Sequence, residues 1–283
     1  MQLMPLPRQQ LQCGRFHLDL SQPHIMGILN VTPDSFSDGG QHHQKDQAVQ
    51  HALQMMEEGA TIIDIGGEST RPNASVVALD EEIHRVIPVV EALSKYDVIL
   101  SIDTSQPDVM RAAVQAGAHI WNDVRALTRP QALETAAELD IPVVLMHMRG
   151  EPTNMNQLDQ YADVTEDVMT ELQQRLDQAL AAGVKKENII LDPGFGFAKN
   201  TQHNFQLLNE FWKLNQMGYP LLSGLSRKRF IGAALNENAA SQRVIGSVTG
   251  HLLSIQQGAS IVRVHDVKAT HDAIRVWKAM QNV

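Results

Sequence analysis

Glu58-Gly59-Ala60-Thr61-Ile62-Ile63-Asp64-Ile65 is a unit that recurs along this chain. A helical segment stops at a glycine, a short β-branched run follows, and a polar residue stands near the end of that run. Ala116-Gly117-Ala118 leads in the same way into His119-Ile120-Trp121-Asn122-Asp123, and Gln257-Gly258-Ala259 into Ser260-Ile261-Val262-Arg263-Val264. Less regular versions occur at Asp140-Ile141-Pro142, at Ala182-Gly183 before Ile189, and at Gly218 before Pro220-Leu221-Leu222. His24-Ile25-Met26-Gly27-Ile28-Leu29 and Val98-Ile99-Leu100-Ser101-Ile102 complete the set, ending at Asn30 and Asp103.

About eight strands therefore alternate with helices, with no break in composition and no linker. This predicts α/β architecture, a (β/α)₈ TIM barrel in preference to an open doubly wound sheet, with 1–283 forming a single domain. Residues 1–20 read as a leader. Within it, Leu11, Phe16, Leu18 and Leu20 flank a Cys13-Gly14-Arg15 turn as a small N-terminal β-hairpin suited to closing the barrel's lower end. A helix is expected at about 45–58, and His42-His43 as an exposed loop pair.

Bulk composition narrows the function. A chain of 283 residues buries roughly three quarters of the surface its unfolded form exposes, so it needs no disulfide or metal staple. Cys13 is the only cysteine, so no disulfide framework exists. The 23 basic residues are outnumbered by 32 acidic ones, for a net charge of −9, which argues against nucleic acid or an anionic membrane as partner. No apolar run reaches a membrane span and Met1 to Gln10 lacks a signal-peptide core, so a cytoplasmic protein is expected.

In a barrel the strand ends converge at one mouth, where barrel enzymes carry their chemistry. The polar residues at those ends are Asn30, Asp64, Asp103, Asn122, His147, Asp192, Ser226 (just past its strand) and Arg263. Turn and helix-cap roles account for part of such a ring. Ile189-Ile190-Leu191-Asp192-Pro193-Gly194-Phe195-Gly196-Phe197-Ala198-Lys199-Asn200 is the most specific of these segments. There an acid at a strand end stands beside two aromatics and bare backbone, an arrangement that could hold a flat, nitrogen-rich ligand. Taken alone, Asp192 reads equally well as a turn residue capping the next helix. Met146 and Met148 could line the same pocket.

Ser226-Arg227-Lys228-Arg229 follows the seventh strand and Arg263-Val264-His265-Asp266-Val267 ends the eighth. Basic groups after strands seven and eight match the usual phosphate position of barrels. Alternation directs Arg263 and His265 to one face, whereas Arg227-Lys228-Arg229 also reads as the solvated start of a helix. Gly194-Phe195-Gly196-Phe197 lacks the third glycine of a dinucleotide fingerprint, no Walker A sequence occurs, and the 12 histidines show no zinc spacing.

Several of these segments resemble the signature stretches of the dihydropteroate synthase family. They are Asn30-Val31-Thr32-Pro33-Asp34-Ser35-Phe36-Ser37-Asp38-Gly39-Gly40, Asp64-Ile65-Gly66-Gly67-Glu68-Ser69-Thr70-Arg71-Pro72, Asp103, Asn122-Asp123-Val124, Asp192 to Phe197, Ser226-Arg227-Lys228 and Arg263 to Val267. The likeness runs in order from Ile25 onward; Asn73, Arg125, Ala198 and Arg229 depart from it, standing where smaller residues are expected.

The resemblance implies a cytoplasmic, homodimeric transferase of folate synthesis. It would condense a dihydropterin-methyl diphosphate with 4-aminobenzoate, with Mg²⁺ as cofactor. By resemblance, Asp103, Asn122, Asp192, Lys228 and Met146 hold the pterin, and Asn30, Arg263 and His265 take the diphosphate, Asn30 also reaching Mg²⁺. Thr70, Arg71, Pro72, Phe197, Lys228 and Ser226 form the 4-aminobenzoate site. Asp103, Lys228, Asn30 and Arg263 carry catalysis, and loops 31–40 and 67–76 close over it. A methyltetrahydrofolate methyltransferase or a non-catalytic pterin binder would share the pterin residues. The methyltransferase would not need Thr70-Arg71-Pro72 and Arg263-Val264-His265 together, whereas the binder would keep the pocket and lack turnover.

Overall fold

The protein is described by a computed structural model covering residues 10–32, 41–68 and 77–281, the side chains of 41–43 excepted. A hairpin comes first, β1 (Gln10–Cys13) antiparallel to β2 (Phe16–Asp19). Eight parallel strands then close a barrel: β3 (His24–Asn30), β4 (Ile62–Gly66), β5 (Ile99–Asp103), β6 (Ile120–Asp123), β7 (Val143–Met146), β8 (Ile189–Asp192), β9 (Leu221–Ser223) and β10 (Ala259–Val264). Closure is made by β10 pairing with β3, Arg263 opposite Met26. Around it lie α1 (Gln41–Glu57), α2 (Leu79–Leu93), α3 (Pro107–Ala116), α4 (Ala132–Leu139), α5 (Val164–Ala181), α6 (Thr201–Asn209), α7 (Arg229–Leu235), α8 (Val244–Gln256) and α9 (Val267–Gln281). The barrel and hairpin read from the sequence are both present. The leader residues 1–9 lie outside the described residues, as do Thr70, Arg71, Pro72, Asn73 and most of the two loops expected to close the site.

The recurring glycine works as its position demands. Gly59, Gly117 and Gly258 take φ of 110°, 112° and 107°, a left-handed turn that ends the helix and redirects the chain into the next strand. After α4, Asp140 adopts φ 50° in place of a glycine, which explains the less regular motif there. α1 starts at Gln41, earlier than expected, so His42 and His43 belong to its first turn and not to a loop. Gln41 to Gln44 are all polar and give no apolar period from which to read a helix start.

Strand alternation builds the interior in layers. Met26, Ile62, Ile99, Ile120, Val144, Ile190, Leu222 and Ile261, one residue from each barrel strand, form a buried layer with Leu11, Cys13, Leu18 and Leu20 of the hairpin. The hairpin thus plugs the lower end. Two residues further along the strands, the same inward face carries Asp64, Ser101, Asn122, Met146, Asp192, Gly224 and Arg263. One more step brings Asn30 and Asp103. The intervening residues, among them Ile63, Leu100, Trp121, Leu145, Leu191 and Val262, face outward and pack under the helices. Chemistry is left with one place to be, the C-terminal mouth.

Candidate active site

Asp64 is the centre of the polar layer. It is fully buried and accepts from Ser101 Oγ at 2.6 Å, from Asn122 Nδ2 at 3.0 Å and from Arg263 Nε at 2.6 Å. Arg263 spans to Asp103, donating from its terminal nitrogen to Oδ2 at 2.7 Å. Burial works against the charge on Arg263, but the two carboxylates outweigh it and the guanidinium stays ionised. Asp103 keeps its other oxygen, Oδ1, buried and without a partner among the described residues. Burial raises Asp103 above the ordinary carboxylate range, with Arg263 pulling it back. A buried acceptor left open in this way is a docking point for a ligand donor.

Asn30, Gly66 and Asp103 lie side by side. A Cβ on Gly66 would stand 3.8 Å from Asn30 Oδ1 and 3.7 Å from Asp103 Oδ2, in ordinary contact with both.

Asp192 ends β8. Its Oδ1 accepts from the Gly194 amide at 2.7 Å, and burial raises it while Lys228 lowers it. Gly194 has φ 69°, and a Cβ there would fall 1.9 Å from the carbonyl oxygen of His147, so no other residue fits. The two phenylalanines of this turn divide. Phe195 enters the core and stacks on Phe211 and Phe230, each 6.0 Å away between centroids. Phe197 instead lies 4.3 Å under the Lys228 ammonium. Lys228 Nζ also donates to the Phe195 carbonyl, and burial pushes its pKa down to about 7. Met146 is buried against the same turn. It also lines a cavity of about 780 Å³ over α5, which the ring of Asp64, Asp103, Asp192, Lys228 and Arg263 does not border.

Ser226 and His265, expected on different ligands, meet each other: Ser226 Oγ accepts from the His265 amide at 3.1 Å and lies 3.0 Å from Nδ1. The three basic residues after β9 separate. Lys228 enters the mouth and Arg229 is exposed at the start of α7. Arg227 pairs with Asp266, its Nε donating to Oδ2 at 2.9 Å, and so ties the β9 loop to the start of α9. Of the expected site residues, Asn30, Asp103, Asn122, Met146, Asp192, Phe197, Ser226, Lys228, Arg263 and His265 all fall at this mouth. Two further residues had no assigned role: Asp64, whose place two steps beyond Ile62 was readable, and Lys199, whose burial nothing local announces.

A closed parallel barrel whose strands deliver buried, mutually paired ionisable groups to its C-terminal mouth is the framework of a barrel enzyme. Residues 26–265 match the family model described as pterin binding enzyme. The chain is 54% identical over 266 residues to the dihydropteroate synthase of Haemophilus influenzae, covering 94% of this chain and 96% of that one. Among solved structures, the Xanthomonas albilineans dihydropteroate synthase with 4-aminobenzoic acid superposes with a TM-score of 0.93 at 50% identity, covering 98% of this chain and 100% of that one. The same enzyme in complex with 7,8-dihydropteroate gives 0.89 at 49% identity, over 97% and 99% of the two chains. The chain belongs to the pterin-binding enzymes and, among them, to the dihydropteroate synthase family.

Proposed function

We infer that this enzyme joins the methylene carbon of a dihydropterin-methyl diphosphate to the amine of 4-aminobenzoate, releasing diphosphate and 7,8-dihydropteroate. The observation that carries this reading is the buried set of Asp192, Asn122 and Asp103, two carboxylates and an amide at successive levels of the barrel mouth. Asp192 suits the paired N–H donors of the pterin's amidine edge, a charge-assisted bidentate match. Asn122 offers both donor and acceptor. The relatives solved with 4-aminobenzoic acid and with 7,8-dihydropteroate support the same substrates here.

The amine of 4-aminobenzoate is neutral at pH 7 and needs no strong base. The costly event is breaking the bond between the methylene carbon and the diphosphate oxygen, whose electron pair leaves with diphosphate. The amine lone pair then forms the new C–N bond, and its proton passes to solvent. Arg263, held charged by two acids, and His265 bind the leaving group, while Asp103 favours positive charge on the pterin. Fixed charges of this kind are worth ~10²–10³ in rate apiece. Phe197 and Lys228 form one wall of the aminobenzoate site, and Ser226 meets its carboxylate. Thr70, Arg71 and Pro72 belong to that site by resemblance.

Mg²⁺ belongs to the same proposal. No group of three or more His, Cys, Asp or Glu among the described residues could cage a metal ion. The donors here, led by the single amide oxygen of Asn30, fit a Mg²⁺ that takes most of its ligands from diphosphate and water. When bound, such an ion would neutralise the departing diphosphate.

A homodimer in the cytoplasm completes the reading. Leu235, Ile245, Leu253, Val276 and Met280 leave apolar surface exposed on α7, α8 and α9, Ile245 at 79% and Val276 at 73%. No helix among the described residues is long and apolar enough to cross a membrane.

Diphosphate release, assayed with Mg²⁺ in the presence and absence of 4-aminobenzoate, tests the function. Release matched by dihydropteroate, and lost in Asp192→Ala and Lys228→Ala, is expected. Pterin binding without release would make the protein a binder and defeat the reading.

A further inference from the structure

Lys199 is enclosed by protein, and the reaction above gives it no task. Its Nζ lies 2.9 Å from His147 Nδ1, 3.1 Å from the Gly194 carbonyl and 3.0 Å from the Phe197 carbonyl. Burial pulls the Lys199 pKa well below the ordinary lysine value, with Asp192 pulling it back; in its ammonium form the three acceptors match the three N–H bonds, so no donor remains for a substrate. His147 faces Glu171 with its other nitrogen, Nε2, 3.0 Å from Oε2. That places the His147 proton on Nε2 and leaves Nδ1 as the acceptor; burial, helped by Lys199, pushes the imidazole pKa down to about 4 and keeps it neutral. Glu171 is fixed from the other side by Arg149 Nε at 2.9 Å, and Arg149 lies 3.9 Å over the Tyr161 ring.

All of this hardware converges on one turn. Lys199 holds the carbonyls of Gly194 and Phe197, Lys228 holds that of Phe195, and Tyr161 Oη donates to that of Ala198 at 2.9 Å. Ala198 itself sits at φ 48°, a left-handed conformation that L residues rarely adopt. Enclosing an ammonium is expensive, and packing alone would be served by a leucine. The turn is being held in one shape, and it sets the Phe197 ring under Lys228.

We propose that Lys199 is a positioning residue which, backed by His147 and Glu171, sets the place of the Phe197 ring and thereby the affinity for the aromatic amine substrate. The proposal rests on Phe197 walling the aminobenzoate site, as read above. Asp192 is fixed by β8 as well as by the Gly194 amide, so pterin recognition depends less on this device than the Phe197 ring does.

Steady-state kinetics of Lys199→Met with both substrates tests it. The KM for 4-aminobenzoate is expected to rise about tenfold, the equivalent of about 1.4 kcal/mol, with kcat and the KM for the pterin diphosphate within about twofold of the parent. In a Phe197→Ala background the same substitution is expected to add nothing further, a coupling that mere loss of stability would not produce. Should Lys199→Met fail to fold, Tyr161→Phe removes only the bond to Ala198 and is expected to raise the same KM. A loss confined to kcat or to the pterin KM, multiplying effects in the double variant, or a Tyr161→Phe enzyme with unchanged aminobenzoate KM would overturn the proposal. A parent enzyme that makes no dihydropteroate overturns the functional reading instead, so the two failures are distinct.

Discussion

Arg263 Nε stands 2.6 Å from Asp64 Oδ2, joining two residues that are 199 positions apart in the chain. The bond spans β3, from β10 to β4, and sets the Arg263 guanidinium beside two acids. Because Arg263 also reaches Asp103, the guanidinium and both acids form one network.

Asp64→Ala leaves Arg263 short of a partner and strips Ser101 and Asn122 of their acceptor. Breaking a buried pair from one side costs about 3–5 kcal/mol. Denaturant unfolding should show that loss, and kcat should fall ~10²–10³ as Arg263 loses its orientation. A variant with parental stability would mean that Asp64 is not the anchor.

Lys228, brought down to about 7 by burial, is charged below that pH and neutral above it. If its ammonium acts on the substrates, kcat/KM falls as pH rises through about 7 in the free enzyme. The sign for stability is opposite: the unfolded chain holds this proton up to the ordinary lysine range, so the burial penalty eases between pH 7 and 10. Lys228→Arg should remove the kinetic limb; an unchanged profile in that variant assigns the limb to another group.

Gly194→Ala sets a methyl 1.9 Å from the His147 carbonyl, at a φ of 69° that alanine resists. Either the turn or β7 must move. We expect a loss of more than ~3 kcal/mol in thermal unfolding, with weakened pterin binding, because Asp192 takes its amide bond from this residue.

Leu11→Ala empties part of the plug at the far end of the barrel. A fully buried leucine truncated to alanine costs ~2–5 kcal/mol. Folded Leu11→Ala protein should keep its kcat, measured well below its melting temperature. A large change in kcat would show that the plug and the mouth are coupled.

Much of the site was legible before the fold. Period-two alternation carried Arg263 and His265 to one face, and positions at strand ends carried Asp192, Asn122 and Arg263 to one mouth. Phe197 was legible as an aromatic in a glycine turn, but its division of labour with Phe195 was not. Both flank Gly196, and only the packing of Phe211 and Phe230 draws one of them inward. Arg227 and Lys228 read as one basic cluster; Asp266, brought alongside by the β9–β10 neighbourhood, claims the first and leaves the second for the site.

The sequence by itself determined the alternation of elements, the turn glycines after the helices and the polar layer above the apolar one. Each follows from local sterics or from the two-residue period of a strand, which need no partner to be read. The tertiary structure alone decided who pairs with whom: Asp64 with Arg263, Lys199 with His147, Ser226 with His265. Those contacts exist because strand pairing brings residues distant in the chain to within hydrogen-bonding reach, and Asp64 meets Arg263 only because β10 closes on β3. Closure is a property of all eight strands together, and no stretch of the chain encodes it alone.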